Sequence, residues 1–242
     1  MNRNIWFAVL GIAVVGGLGL AAWQASRPGP QPPPPAPLAS APSSPPAATS
    51  AAPVPAPSRD AIAPRREGDD MVIGAPNAPV TIIEYASLTC PHCANFHTGA
   101  LPQIKEHYID QGLVKFVYRD FPLDRAALWA SMLARCAGPE RYFSFLDVLF
   151  RQQSIWARGN DGQAIQENLK RLARLGGFSD ATFDACLQDK SVETAVIEQS
   201  LKGEREFKIS STPTLIINGK KHAGSIAFEE IEKVLKPLAG RS

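Results

Sequence analysis

Two cysteines separated by two residues, Cys90-Pro91-His92-Cys93, lie where a β-rich run ends and a helix-like stretch begins. The run is Val80 to Ala86, and the helical pattern covers Ala94 to Tyr108. Thiols at this spacing close into a disulfide and reopen without moving the backbone. At a helix N-terminus the first sulfur meets unpaired N–H groups and partial positive charge, which favour its thiolate. The second sulfur lies one turn deeper on the same face. This assigns Cys90 to attack and Cys93 to resolve. Pro91 occupies an early helical position where its missing N–H costs nothing. His92 adds an N–H donor or a positive charge near the Cys90 sulfur. A stabilised thiolate means a stabilised reduced form, so the closed pair would be a strong oxidant.

The cysteines permit two other uses. Cys90 and Cys93 are half of a zinc site, but Cys136 and Cys186 are single and far apart, not a second pair of that kind. His97, four residues after Cys93, and the nearby His92 make a copper module the non-enzymatic alternative. The redox pair is the reading adopted, with no metal and no cofactor expected.

The surrounding pattern is mixed α/β. Met71 to Gly74 is predicted to be a short edge strand, Val80 to Ala86 a buried central strand, and Leu113 to Tyr118 a second buried strand. A helix from Cys90 to about Tyr108 is expected to bend near Pro102. Asp124 to Phe150 and Asp161 to Leu187 have helical periodicity, broken at Gly138-Pro139 and Gly176-Gly177. A further helix, Val192 to Phe207, leads to Ser211-Thr212-Pro213. Thr214 to Ile217 is a strand, Asn218-Gly219 a hairpin turn that wants positive φ twice, and Lys220 to Ala223 the return strand. Phe228 to Leu238 closes the chain as a helix. This order describes a thioredoxin-like α/β fold with a helical insertion over about 123–190. The aromatics of the insertion, among them Trp129, Phe143, Phe145, Phe150 and Trp156, are assigned to its core.

Before this part the composition changes. Ile5 to Trp23 is a run without charge, preceded by Arg3. It is read as an uncleaved transmembrane anchor within residues 1–27, with a cleaved signal peptide as the alternative. Residues 28–57 hold 13 prolines and no charged side chain. Residues 28–64 are therefore a Pro/Ala-rich spacer that buries nothing. The globular part is placed at 65–242. The formal net charge is +2 and no basic stripe appears, so nucleic acid is excluded as a partner. Four cysteines, all in an exported globular part, fit an oxidising compartment. The expected location is the bacterial inner membrane with the catalytic domain in the periplasm, or a soluble periplasmic form after signal cleavage.

Three segments carry a family resemblance. TIIEYASLTCPHC at Thr81 to Cys93, FVYRDFPL at Phe116 to Leu123 and STPTLIINGK at Ser211 to Lys220 resemble, in that order, segments of the DsbA family of exported thiol:disulfide oxidoreductases. The resemblance covers roughly residues 70–240. It implies that Thr212-Pro213 is a cis pair packed against the disulfide, with Thr212 offering backbone groups to an extended substrate. It implies that Glu84, in the middle of an apolar strand, shuttles the proton of Cys93. Lys115 or Arg119 is the expected partner of that carboxylate. It also supports a structural disulfide between Cys136 and Cys186, against two separate buried thiols. Such a bridge closes a loop of about 51 residues and stabilises by up to roughly 4 kcal/mol.

The function expected is insertion of disulfides into unfolded exported proteins with free cysteines. The resemblance implies reoxidation by a quinone-linked, DsbB-like membrane partner. A disulfide isomerase or reductase is the alternative, and the threonine before the proline gives it weight.

Overall fold

A computed structural model describes residues 58–159 and 161–240. Its centre is a six-stranded sheet of β1 (Arg65–Glu67), β2 (Asp70–Ile73), β3 (Val80–Ala86), β4 (Val114–Asp120), β5 (Thr214–Ile217) and β6 (Lys220–Lys221), in the order β1-β2-β4-β3-β5-β6. Only β3 and β4 are parallel, and the remaining neighbours are antiparallel. The parallel pair needs a long crossover. A continuous helix over residues 91–109 supplies it. This is the thioredoxin fold with a helical insertion.

Alternation along β3 sorts the two faces. Ile82 and Ala86 point with Phe116, Tyr118, Leu215 and Ile217 into the larger core. The crossover helix fills that core with Phe96, Ile104 and Tyr108, and the last helix, Phe228–Leu238, adds Ile231 and Leu235. Tyr85 joins Ile216, Phe121 and Ile209 on the other face, with Ile83 and Phe207 against them. The register pairs Glu84 with Tyr118 on one side and Leu215 on the other. The carboxylate therefore enters the larger core beneath the crossover helix.

That helix absorbs Pro102 by widening. α-Turns at Pro91–Asn95 and Leu101–Ile104 alternate with π-turns at Phe96–Ala100 and Lys105–Ile109. The Leu101 N–H reaches back five residues to the Phe96 carbonyl, just before the residue that has no N–H to give.

The insertion consists of helices Arg125–Cys136, Pro139–Arg151, Gln153–Trp156, Gly162–Leu175 and Asp180–Gln188. Asp124, Asp161 and Ser179 cap three of them by accepting backbone N–H bonds. Phe145, Phe150 and Trp156 are buried, whereas Trp129 and Phe143 are half-buried. Cys136 and Cys186 are joined, with Sγ–Sγ 2.07 Å. A buried polar knot ties the insertion to the sheet. Arg135 Nε donates to Asp120 Oδ2 at 2.7 Å, and Gln199 Oε1 accepts from both Arg135 Nη2 and the Asp120 N–H. Burying two charges stabilises only because each finds its partner there.

Several expectations need correction. β2 is an inner strand, because Arg65–Glu67 pairs outside it. A short charged strand gives no hydrophobic alternation to read. The return strand of the hairpin is Lys220–Lys221 only, although Asn218 and Gly219 do take φ 45° and 78°. A helical turn at Arg59–Ile62 lies within the stretch assigned to the spacer, and the Ile62 carbonyl accepts from the Gly74 N–H, so ordered chain begins before residue 65. The expected transmembrane helix has no counterpart among the described helices. Among the described residues no helix is long and apolar enough to cross a membrane. Helix Lys190–Phe207, at 18 residues, carries charge along its length at Lys190, Glu193, Glu198, Lys202, Glu204, Arg205 and Glu206. The inner-membrane location that rested on an anchor is withdrawn with it. Residues 5–23 and 28–57 lie outside the described residues.

Helix Lys190–Phe207 approaches the sheet at Gly203, where an added Cβ would lie 2.4 Å from the Tyr85 ring. Gly203→Ala is expected to lower stability by about 1–3 kcal/mol through overpacking. Urea unfolding checks this.

Candidate functional site

Cys90 caps the crossover helix in extended conformation (φ −78°, ψ 118°), and Pro91 starts the helix without an N–H to leave unsatisfied. Cys93 is fully buried one turn on, and Cys90 is 6% exposed. Both thiols are free. The loop opposite carries the cis peptide bond Thr212-Pro213, and the Cys90 thiol donates to the Thr212 carbonyl at 3.3 Å. This carbonyl lies just before β5 and faces the Cys90 sulfur.

The two sulfurs are driven apart electrostatically. The Cys93 thiol donates to the Cys90 sulfur and, with the Thr212 side chain and the backbone N–H groups of Cys93 and His92, lowers the Cys90 pKa to about 5 against the effect of burial. Cys93 moves the other way. Burial, the bond it gives Cys90 and the Glu84 carboxylate all hold its proton on. A thiolate and a thiol are thus defined side by side. What His92 gives the Cys90 sulfur is its backbone N–H. Its ring is exposed.

Glu84 is completely buried, with Oε2 2.7 Å from His97 Nε2. The partner of this carboxylate is therefore His97, not Lys115 or Arg119. Lys115 reaches Glu67 at 3.4 Å, and Arg119 grips Asp70 and the Tyr85 hydroxyl. Strand parity explains this, since residues 115 and 119 register with Thr81 and Tyr85, not with Glu84. His97 is committed to Glu84 and stacks on Phe150 with ring centroids 4.0 Å apart. It is not held for a metal with Cys93. Among the described residues no group of three or more His, Cys, Asp or Glu could hold a metal ion.

The structure brings together Cys90, Pro91, His92, Cys93, Glu84, Thr212 and Pro213. It places Cys136 and Cys186 in the insertion. It also adds residues that sequence reasoning missed. Gln153 Nε2 donates to the carbonyls of Leu88 and Cys90 at 2.8 and 3.0 Å. The Thr89 hydroxyl donates to Asp124 at 2.6 Å, and Ser87 Oγ accepts from the Leu123 N–H. The insertion therefore fixes the loop that presents Cys90. Asp124 was readable as a helix cap from its position, but nothing in the sequence placed Gln153, more than sixty residues away.

A family profile described as Thioredoxin matches residues 66–237. The solved structure of Wolbachia pipientis alpha-DsbA1 is similar with TM-score 0.67 and 32% identity, covering 72% of this chain and 93% of that one. BdbD of Bacillus subtilis shares the fold with TM-score 0.64 and 22% identity, covering 74% of this chain and 97% of that one. A Rickettsia bellii protein assigned to the protein-disulfide oxidoreductases is 34% identical over 152 residues, 62% of this chain. The alignment spans 58% of that relative's length. The chain belongs to the thioredoxin family and, within it, is a homologue of the DsbA proteins.

The pKa of Cys90 sets a pH test. Its folded value lies below the ~8.5 of a free thiol, so the thiolate stabilises the reduced fold fully above that value. The gain is lost as pH falls through about 5. Thiolate absorbance of the reduced protein should appear with a midpoint near 5 and vanish in Cys90→Ser. A midpoint in the free-thiol range would remove the basis for a distinct nucleophile.

Proposed function

We propose that this chain is a protein thiol:disulfide oxidoreductase working through residues 65–242. The observation that carries the reading is Cys90 at the start of the crossover helix, next to the buried Cys93 and 3.3 Å from the Thr212 carbonyl, with its pKa lowered to about 5. Cys90 attacks a substrate disulfide, and one substrate sulfur leaves as thiolate. Cys93 then gives up its proton and attacks the Cys90 sulfur of the mixed disulfide. The second substrate sulfur leaves and the Cys90–Cys93 bond closes. The reverse sequence oxidises a substrate dithiol.

Supporting roles follow from position. Glu84 takes and returns the Cys93 proton. Pro91 and His92 set the N–H groups around Cys90. Thr212 and Pro213 receive an extended cysteine-containing segment of the substrate. A groove of about 520 Å³ lined by Thr89, Asp124, Arg125, Trp129 and Ile165 continues beside the cysteine loop. The Cys136–Cys186 bridge is structural.

The direction of exchange is decided by which form of the pair meets substrate. The site stabilises the reduced form, whose thiolate is ready to attack disulfides that already exist. Such a thiolate suits isomerisation, which leaves the pair reduced at the end of each cycle, whereas the stability of the reduced form works against net reduction of substrate disulfides. Net oxidation would need a partner that keeps the pair closed, and a quinone-linked membrane protein is the class the family suggests.

The reduced protein is expected to accelerate refolding of a scrambled multi-disulfide protein at a fixed glutathione ratio. Cys90→Ser should bring the rate to background, and Cys93→Ala should accumulate a mixed disulfide with the substrate. If the reduced protein leaves the scrambled substrate untouched while the oxidised protein efficiently closes a dithiol peptide, the direction is oxidation. Failure of both reactions would end the enzymatic reading.

A further inference from the structure

Exchange at Cys93 requires a proton to leave the core and come back. Glu84 receives it in a place with no exposure, so the carboxylate alone only moves the difficulty by one residue. One of its oxygens, Oε1, has no hydrogen-bond partner among the described residues, and the other meets His97. The His97 side chain is itself 3% exposed, yet it forms part of the wall of a second groove. That groove has a volume of about 600 Å³. Leu101, Phe143 and Leu146 make its apolar surface, and Lys105, Asp147 and Arg151 stand around it. None of its lining residues belongs to the mouth formed by Cys90 and Thr212. His97 thus meets the buried carboxylate through Nε2 and is also a lining residue of the groove.

We propose that His97 carries the Cys93 proton between Glu84 and water in this groove. The inference rests on the exchange reading above and adds the route by which the site stays neutral while substrate covers its mouth. In the closing step the Cys93 thiol gives its proton to Glu84, and the Cys93 thiolate attacks the Cys90 sulfur. The bond from Cys90 to substrate breaks, and the substrate leaves with the electron pair as a thiolate. Glu84 passes the proton to His97 Nε2, and Nδ1 releases one to water. In the opening direction each transfer runs backwards. An imidazole suits this position because it accepts at one nitrogen while donating from the other. Stacking on Phe150 and the T-shaped contact with Tyr118 hold the ring in the plane that reaches Glu84.

The test separates the two chemical steps by rapid mixing of reduced protein with a fluorogenic peptide disulfide at neutral pH. Cys90 attack releases the first thiol, and ring closure by Cys93 releases the second. His97→Gln and His97→Ala should leave the first step unchanged and slow the second by about a hundredfold, the low side of what proton transfer by a positioned group contributes. Added imidazole should restore closure in His97→Ala and leave the wild type unaffected, which a purely structural loss would not permit. Closure at the wild-type rate in both variants overturns the relay, and so does slow closure that ignores imidazole. Should His97→Ala not fold, His97→Gln decides alone. Slow closure with an enlarged solvent isotope effect supports the relay, and an unchanged rate overturns it. If wild-type Cys90 fails to attack the probe at all, the exchange reading itself falls and the relay with it.

Discussion

The bond from the buried Cys93 thiol to the Cys90 sulfur is the interaction on which this site depends. It makes two chemically identical side chains different. Cys93 keeps its proton because burial and a nearby carboxylate make a second negative charge too costly. Cys90 loses its proton because it sits at the helix start with donors on several sides. Burial is the largest cause at Cys93, and the Cys93 donor is the largest cause at Cys90. If Cys93 ionised, the donor would disappear and Cys90 would face a like charge.

The fold is arranged to maintain that asymmetry. Pro91 fixes the start of the helix, and the Thr212 carbonyl faces the Cys90 sulfur from the opposite loop. Gln153 and Asp124 hold the Leu88–Cys90 loop from the insertion, which the Asp120–Arg135–Gln199 knot anchors to the sheet. The helical insertion is therefore part of the site's scaffold as well as a wall beside it. Beneath the helix, strand register puts Glu84 on the Cys93 face and sends Arg119 to Asp70 and Tyr85 instead.

Local patterns carried most of the architecture. The β3 run, the breaks at Gly138-Pro139 and Gly176-Gly177, and the Asn218-Gly219 turn are short-range signals with direct steric causes, and each falls where its residues predict. What escaped reading was long-range. Arg65–Glu67 has no apolar alternation, so β2 looked like an edge. Lys115 and Arg119 were reasonable partners for Glu84 by charge, and only the β3–β4 register excludes them. His97 was seen as a neighbour of Cys93 at four residues' spacing, which is right for a helix face. Whether that face meets the sheet or a metal depends on the wide turn at Phe96–Ala100 and on Phe150 stacking from another helix. Gln153 had no sequence signal at all. No described helix has the length and apolar character of a membrane span, and residues 5–23, where the anchor was placed, lie outside the described residues.

The most direct measurement compares the unfolding free energies of the reduced and the Cys90–Cys93 oxidised protein in urea, with the Cys136–Cys186 bridge kept closed in both. A thiolate held at about 5 predicts that the reduced protein is the more stable at pH 7, and that its advantage shrinks as pH falls through that value. An oxidised form more stable than the reduced one at pH 7, or a difference indifferent to pH between 4 and 8, would contradict the account.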